Sequence, residues 1–264
     1  MFNLVSVFLL DWLLMALIMC VLWLFAKRTN NAGVVDLGWA FGFVFLAVLN
    51  ITLVHENVWQ TLLLLFMLAF SHVRLGIHLT QRYLHEFPEE DARYQKFRND
   101  WHAKANFNFF WLFQFQGVLI ALLVMPVNLV ANSSNNTIAP FQWGAFILWF
   151  ASMMGESLAD RELRLFKKNK KNKGKTCDKG LWNYSRHPNY FFQWLSWVAY
   201  ALYAWNTPYG WVAIYCPALM LFFLLKVTGI SITEEHALKS RNDYAQYQKT
   251  TSPFIPWFKL KQAR

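Results

Sequence analysis

The sequence predicts an all-α membrane protein of about seven transmembrane helices, with its N-terminus outside and its C-terminus in the cytosol. Of 264 residues, 56% are hydrophobic and only 15% are charged, whereas roughly a quarter of the residues are charged in a typical soluble protein. The hydrophobic residues are concentrated in long runs, and the basic residues fall on one side of those runs. Lipid is therefore the solvent that this composition indicates.

Seven apolar runs each approach the ~20 residues that a helix needs to cross ~30 Å of hydrocarbon. No linker or internal repeat separates them, so they predict a single membrane-embedded domain. Residues 1–108 would hold the first three helices and a cytosolic loop, and residues 109–264 the last four helices and an amphipathic tail. The runs are Val5–Phe25, Val34–Val54, Val58–Leu79, Phe109–Val130, Phe141–Ala159, Tyr190–Trp205 and Tyr209–Ile230.

The distribution of the 25 lysines and arginines predicts the orientation. Two follow the first run, six lie between Arg74 and Lys104, ten between Arg161 and Arg186, and seven from Lys226 onward. Seven crossings with an outside N-terminus place all of them in or beside the cytosol, as the positive-inside rule requires. The net charge of +10 therefore implies membrane lipids and no nucleic acid as partners. The membrane would be the inner membrane of a bacterium or the endoplasmic reticulum of a eukaryote.

Ionisable side chains inside membrane helices are expensive, which makes them candidates for function. Asp36 begins the second run and Arg74 lies in the third. Glu156 and Asp160 are four residues apart near the end of the fifth run, so their carboxylates share a helix face. The alternatives are a helix cap for Asp36 and structural ion pairs for the two acids. The three cysteines show no metal-ligand spacing, so no metal site is predicted.

The most specific local pattern covers residues 180–190, Gly-Leu-Trp-Asn-Tyr-Ser-Arg-His-Pro-Asn-Tyr. Pro188 predicts the start of the sixth helix, because proline is favoured at the first helical position. The free N–H groups of that helix end, together with Arg186 and His187, predict an anion site suited to phosphate. Carboxylates at 156 and 160 would repel phosphate but accept hydrogen bonds from ribose hydroxyls or a carboxamide. The combination indicates a nucleotide cofactor, and the lysines of 167–179 could meet a 2′-phosphate.

An ordered set of motifs resembles the DUF1295 branch of the steroid 5-alpha-reductase superfamily over nearly the whole chain. The motifs are Asp36-x-x-Trp39, Arg74-Leu75, Glu90-Asp91-x-Arg93-Tyr94, Gln116, Glu156-x-x-Ala159-Asp160, Gly180-Leu181-Trp182, Arg186-His187-Pro188-Asn189-Tyr190 and the tail from Tyr244 to Trp257.

The resemblance implies a seven-helix fold that holds NADPH in a pocket open to the cytosol, with a lipidic substrate entering from the bilayer. It implies cofactor contacts by Glu156, Asp160, Tyr184, Arg186, His187, Asn189, Gln193 and Tyr244. The family pattern continues with Gly-Glu where this chain has Phe192-Gln193. Gln193 keeps a hydrogen-bonding amide without the charge, and Phe192 removes room for close approach.

The sequence is compatible with three functions. The first is an NADPH-dependent reductase of a conjugated C=C bond in a sterol-like or isoprenoid lipid, with Asp36 and Arg74 polarising the carbonyl oxygen. The second is an S-adenosylmethionine-dependent methyltransferase, similar to the isoprenylcysteine carboxyl methyltransferases, with a late acid at Glu234 or Glu235. The third is a lipid-binding membrane protein without chemistry.

Overall fold

The computed structural model describes residues 4–53, 58–133, 137–227 and 229–259, and within these ranges the fold is all-α, as predicted. Short 3₁₀ turns, a π-helical turn at Phe223–Val227 and one isolated β-bridge complete the described secondary structure. The helices are α1 Leu4–Thr29, α2 Val34–Leu53, α3 Val58–Glu86, α4 Ala92–Trp101, α5 Ala105–Leu123, α6 Met125–Ala131, α7 Pro140–Lys168, α8 Pro188–Ala204, α9 Tyr215–Phe222, α10 Ile230–Ser240 and α11 Tyr244–Thr250.

Five helical segments in the described part of the chain are long and apolar enough to cross a membrane. They are Leu4–Thr29, Val34–Thr52, Trp59–Glu86, Ala92–Ala131 and Gly210–Val227. The fifth and sixth apolar runs form α7 and α8, which are helical as predicted but are not among these five. α8 has 17 residues, and the second half of α7 carries many charged side chains. The integral membrane character is thus supported by several apolar helices.

The helix boundaries differ from the apolar runs in two places, one at a proline and one where residues of high helix propensity follow the run. The fourth run divides into α5 and α6 around Val124, because Pro126 occupies the first turn of α6 and cannot donate to the preceding turn. The fifth run continues to Lys168, since the residues after Ala159 are mostly Glu, Leu, Arg and Lys, which favour helix. α7 therefore extends about two turns beyond its apolar part.

The chain divides into two compact units. Unit 1 comprises 1–139 and 204–213, and unit 2 comprises 140–203 and 214–264. In unit 1, α1 packs on α5 and α2 packs on α3. The predicted single-domain organisation is not tested by this division and stays a prediction.

In unit 2, α7 and α8 run antiparallel and are joined by individual side-chain contacts near both ends. Gln142 Nε2 near the start of α7 donates to the Tyr203 carbonyl near the end of α8, at 3.4 Å. At the other end, Asn189 Nδ2 donates to Asp160 Oδ1 at 3.1 Å. The last turns of α7 therefore lie beside the first turn of α8, which brings the two sequence motifs together.

Candidate functional site

The segment before α8 is fastened to α7 by a carboxylate. Gly180 begins a 3₁₀ turn with a positive φ of 59°, and Leu181 N donates to Glu162 Oε2 at 2.9 Å. A Cβ at Gly180 would lie 2.0 Å from Glu162 Oε1, so a side chain at this position would displace the carboxylate. Trp182 Nε1 donates to the Ala159 carbonyl at 2.9 Å. These contacts fix the approach of the chain to the start of α8.

The C-terminal tail holds the same segment from the other side. Ser185 Oγ donates to the Phe254 carbonyl at 2.7 Å, and Arg186 N donates to the Ser252 carbonyl at 2.8 Å. The buried Tyr247 hydroxyl donates to the carbonyls of Trp182 and Ser185. Burial raises the pKa of Tyr247 above its ordinary value. The phenol therefore stays a hydrogen-bond donor at neutral pH.

The pair Asp160 and Asn189 connects the acidic face of α7 with the first turn of α8. Besides donating to Asp160, Asn189 accepts a hydrogen bond at its Oδ1 from Tyr190 N, at 3.0 Å. Glu156 lies one turn before Asp160 on the same helix, and both side chains are part-buried. Gln193 lies one turn after Asn189, also part-buried. The carboxylates and the amides of the two helices thus share one region of unit 2.

Phe192 packs on the glycine that precedes Glu156. A Cβ added at Gly155 would lie 2.5 Å from the Phe192 ring, closer than such atoms approach in real structures. The phenyl ring at the position where the family pattern has glycine is thus accommodated by a glycine on the facing helix. α7 and α8 therefore approach each other closely at Gly155 and Phe192.

Arg186 and His187 already contact an anion, and that anion is Glu234 of α10. Arg186 Nε lies 2.8 Å from Glu234 Oε1, and His187 Nε2 lies 3.1 Å from the same oxygen. Arg186 Nη1 also donates to the Gln248 carbonyl at 2.8 Å. Only 11% of the Arg186 side chain and 4% of the His187 side chain are exposed. The anion site predicted at the start of α8 is therefore filled by a carboxylate of the chain itself.

Further side chains complete the surroundings of Glu234. Burial raises the pKa of Glu234, but hydrogen bonds from His187 and Gln248 and the charge of Arg186 outweigh burial and leave the pKa below its ordinary value. Gln248 Nε2 donates to Glu234 Oε2 at 2.8 Å. The pKa of the buried Tyr244 is raised by burial and by the Glu234 charge. Glu234 is consequently ionised at neutral pH and balances the Arg186 charge.

A cavity of about 760 Å³ lies beside this segment, within unit 2. Lys175, Lys179 and Lys259 contribute ammonium groups to its wall, and Asp178 and Asp243 contribute carboxylates. The two carboxylates have partners: Thr176 N and Oγ1 donate to Asp243 at 3.0 and 2.5 Å, and Lys259 Nζ lies 3.8 Å from Asp178. We call this space the mixed-charge cavity.

The two residues predicted to polarise a carbonyl lie in unit 1. The Asp36 carboxylate accepts hydrogen bonds from Arg82 Nη2 at 2.9 Å, from Arg93 Nη2 at 2.8 Å and from the Tyr94 hydroxyl at 2.6 Å. These contacts join α2, α3 and α4, as expected for a structural anchor. Arg74 is part-buried in α3. The polarising role of both residues stays a prediction.

The structure brings together most, though not all, of the predicted cofactor residues. Arg186, His187 and Tyr244 surround Glu234, while Asp160 and Asn189 contact each other. Tyr184 is instead exposed, with its ring 6.2 Å from the Phe258 ring. Glu162, Tyr247 and Gln248 were not predicted. Their contacts are with backbone atoms or distant side chains, for which the sequence has no short-range signal.

One comparison with known proteins gives a match. The family model described as "Protein of unknown function (DUF1295)" matches residues 22–251. No curated protein and no solved structure matches the chain. The matched range includes every site residue predicted from the sequence but ends before Lys259 of the mixed-charge cavity.

Proposed function

This chain belongs to the DUF1295 family, and from that premise we propose that it is a membrane-bound, NADPH-dependent reductase. The proposed reaction saturates a C=C bond conjugated to a carbonyl in a sterol-like or isoprenoid lipid. One observation carries the proposal: the Asn189–Asp160 hydrogen bond of 3.1 Å, which unites the acidic end of α7 with the start of α8.

The carboxylates of α7 suit the hydroxyl and amide groups of a nucleotide. One oxygen of the Asp160 carboxylate accepts a hydrogen bond from Asn189, and this bond orients the carboxylate. In the proposal, the second oxygen accepts a hydrogen bond from the ligand. Glu156 adds a second carboxylate one helical turn away. In the proposal these groups accept hydrogen bonds from ribose hydroxyls or from the carboxamide.

The phosphates need cations, and the structure offers them mainly outside the start of α8. Glu234 already neutralises Arg186 and contacts His187. The mixed-charge cavity, by contrast, has three lysines, and its carboxylates already have partners. Its volume of about 760 Å³ is ample for a phosphate-bearing group. We therefore assign the phosphates chiefly to Lys175 and Lys179. Lys259, which lies 3.8 Å from Asp178, and the remaining guanidinium N–H groups of Arg186 are secondary contacts.

When bound, the cofactor supplies the hydride. The tasks left to the chain are to orient the nucleotide, through Asp160 and Asn189, and to keep water away from the reacting atoms. The proposal also includes seven crossings, formed by the five apolar segments together with α7 and α8, with an outside N-terminus. That orientation puts the lysines of 167–179 in the cytosol, where the nucleotide is available.

Binding of NADPH to the purified protein tests the proposal. Asp160→Ala and Asn189→Ala should each weaken binding by about tenfold to a hundredfold, because hydrogen bonds to a charged group contribute about 1.5–3 kcal/mol. Asp100→Asn and Asn99→Ala, both exposed in α4, serve as controls and should bind as the unaltered protein does. An absence of saturable binding, or binding insensitive to the two α7 and α8 substitutions, would refute the proposal.

The contact of Glu234 with both Arg186 and His187 favours a second candidate. The isoprenylcysteine carboxyl methyltransferases, which the Arg-His-Pro-x-Tyr segment resembles, also carry a late acidic residue. An S-adenosylmethionine-dependent methyltransferase would not need phosphate contacts, so Lys175→Gln/Lys179→Gln would leave adenosylmethionine binding intact. Under the reductase proposal the same double variant weakens NADPH binding and reduces its salt dependence. Lipid binding with affinity for neither cofactor would indicate a non-catalytic protein.

A further inference from the structure

A second cavity in unit 2 is lined by many cationic side chains. Its volume is about 530 Å³, and it lies at the end of α7. Leu163 and Phe166 contribute apolar surface to it, and five of its lining residues are cationic. These five are Lys167, Lys170, Lys173, Lys175 and Arg241, and no Asp or Glu is among the lining residues. We call this cavity the basic hollow.

The four lysines of the basic hollow form no ion pair within the described part of the chain, whereas the charge of Arg241 is felt by the Asp243 carboxylate, whose pKa it helps to lower. No ion pair involves Lys167, Lys170, Lys173 or Lys175 in the ranges 4–53, 58–133, 137–227 and 229–259. The Arg241 guanidinium lies over the Tyr244 ring at 5.8 Å. Several like charges around a small space repel each other and raise the local concentration of anions. The mixed-charge cavity shares Lys175 with the basic hollow but differs from it because it includes two carboxylates.

The position of the basic hollow indicates which anion it would meet. It lies where α7 changes from an apolar helix into a charged one, between Ala159 and Lys168. Exposed leucines flank its lining residues in the sequence: Leu165 is 57% exposed in α7, and Leu238 is 47% exposed in α10. Cationic groups with apolar neighbours, at the point where an apolar helix becomes polar, match a phosphate headgroup with attached acyl chains. A free anion would make no use of the leucines.

We propose that the basic hollow binds the phosphate of an anionic phospholipid from the adjoining leaflet, while the acyl chains follow the apolar surface that includes Leu165 and Leu238. The lipid stabilises the 169–179 loop by neutralising its lysines. This site goes beyond the proposed reductase function and does not depend on it, because the preference for the anionic lipid is measured without turnover and in the absence of cofactor.

Delipidated full-length protein in a neutral detergent provides the test. Binding of dioctanoyl phosphatidylglycerol, dioctanoyl phosphatidylcholine and inorganic phosphate is measured by native mass spectrometry and by the shift in melting temperature. Phosphatidylglycerol should bind about tenfold more tightly than phosphatidylcholine, since each basic residue near an anionic lipid surface adds to the attraction. Lys167→Gln/Lys170→Gln/Lys173→Gln should abolish that preference, and Lys-to-Arg changes at the same three positions should keep it.

A matched variant controls for net charge. Lys168, Lys171 and Lys249 are exposed, and none of them lines either cavity. The triple glutamine variant at these positions loses the same charge and should retain the preference for phosphatidylglycerol. Arg241→Gln, a second change inside the hollow, should weaken binding in the same direction as the first triple variant.

Three results would overturn the proposal. The first is equal affinity for the two lipids, and the second is saturation by inorganic phosphate at the affinity of phosphatidylglycerol, which would indicate a free-anion site. The third is displacement of phosphatidylglycerol by NADPH. If the variants of the basic hollow abolish that displacement and the control variant does not, the hollow belongs to the nucleotide. Loss of NADPH binding alone, with the lipid preference intact, would refute the reductase and leave the lipid site standing.

Discussion

Glu234 supplies a carboxylate to Arg186 at 2.8 Å, so the chain fills with its own anion the place where its sequence predicts a phosphate. The same oxygen lies 3.1 Å from His187 Nε2. The start of α8 is thereby tied to α10, which lies more than forty residues later in the chain. Because of this ion pair, a ligand at the start of α8 would meet less positive charge than Arg186 alone would supply.

Substitution of Glu234 should separate the effect on stability from the effect on ligand binding. Glu234→Gln removes the partner of Arg186, and breaking a part-buried ion pair should lower the free energy of unfolding by about 1–3 kcal/mol. The same change removes a negative charge near the proposed phosphate contacts, so NADPH affinity should rise. Thermal unfolding and NADPH titration measure the two effects. Unchanged affinity would show that phosphate does not approach Arg186.

The pH dependence of stability should report on the same carboxylate. The pKa of Glu234 is lowered in the folded protein. A carboxylate with a lowered folded-state pKa stabilises the fold above its unfolded pKa of ~4.3 and loses that contribution as pH falls through the folded pKa. The melting temperature should therefore decrease at pH below about 4.3, and less so in Glu234→Gln than in the unaltered protein. Equal losses in the two proteins would assign the acid sensitivity to other groups.

Gly155 is predicted to be intolerant of a side chain because Phe192 occupies the space. Gly155→Ala should lower the free energy of unfolding by about 1–3 kcal/mol through overpacking. Gly144→Ala is the control on the same helix, since a Cβ there meets nothing within 4 Å. It should be neutral or stabilising by up to about 1 kcal/mol, as alanine favours helix over glycine. Phe192→Ala removes the ring that the added methyl group meets. In thermal unfolding, the double variant Gly155→Ala/Phe192→Ala should therefore lose less stability than the sum of the two single variants.

Asp36 should act mainly as an anchor of unit 1. Asp36→Ala leaves Arg82, Arg93 and Tyr94 without their common acceptor and should reduce stability by about 1–3 kcal/mol, with the partly exposed arginines contributing the smaller share. NADPH affinity should not change. Thermal unfolding with and without NADPH distinguishes this outcome from a catalytic role, in which stability would be retained and turnover lost.

Much of the fold was predictable because hydrophobic length and the residues at helix starts act locally. Pro188 correctly predicted the start of α8. Pro88 and the three acids after it predict a helix start with those acids in the first turn, but α4 begins only at Ala92, and Asp91 caps it by accepting from Arg93 N at 2.9 Å. The amphipathic tail, for which residues 234–248 predict one continuous helix, is helical only in part. It is interrupted at residues 241–243, where Asp243 accepts a hydrogen bond from Thr176 of a distant loop.

A contact within the site was predictable from the sequence only where each of its two residues lies in a recognisable local sequence pattern. The Asp160–Asn189 contact follows from helix-face periodicity in α7 and the proline at the start of α8. The partnership of Arg186 with Glu234 does not, because α10 is placed by packing between residues far apart in sequence. Neither the two cavities nor the glycine opposite Phe192 has a sequence signal, since each depends on how two helices or a helix and a loop meet.

A structure determined by electron cryomicroscopy with NADP⁺ added would show whether the nucleotide binds where α7 and α8 meet. We expect density for the nucleotide along the surface shared by Asp160 and Asn189, with its phosphates beside Lys175, Lys179 and Lys259. Nucleotide density elsewhere, or lipid density alone on that surface at saturating NADP⁺, would refute the reductase proposal.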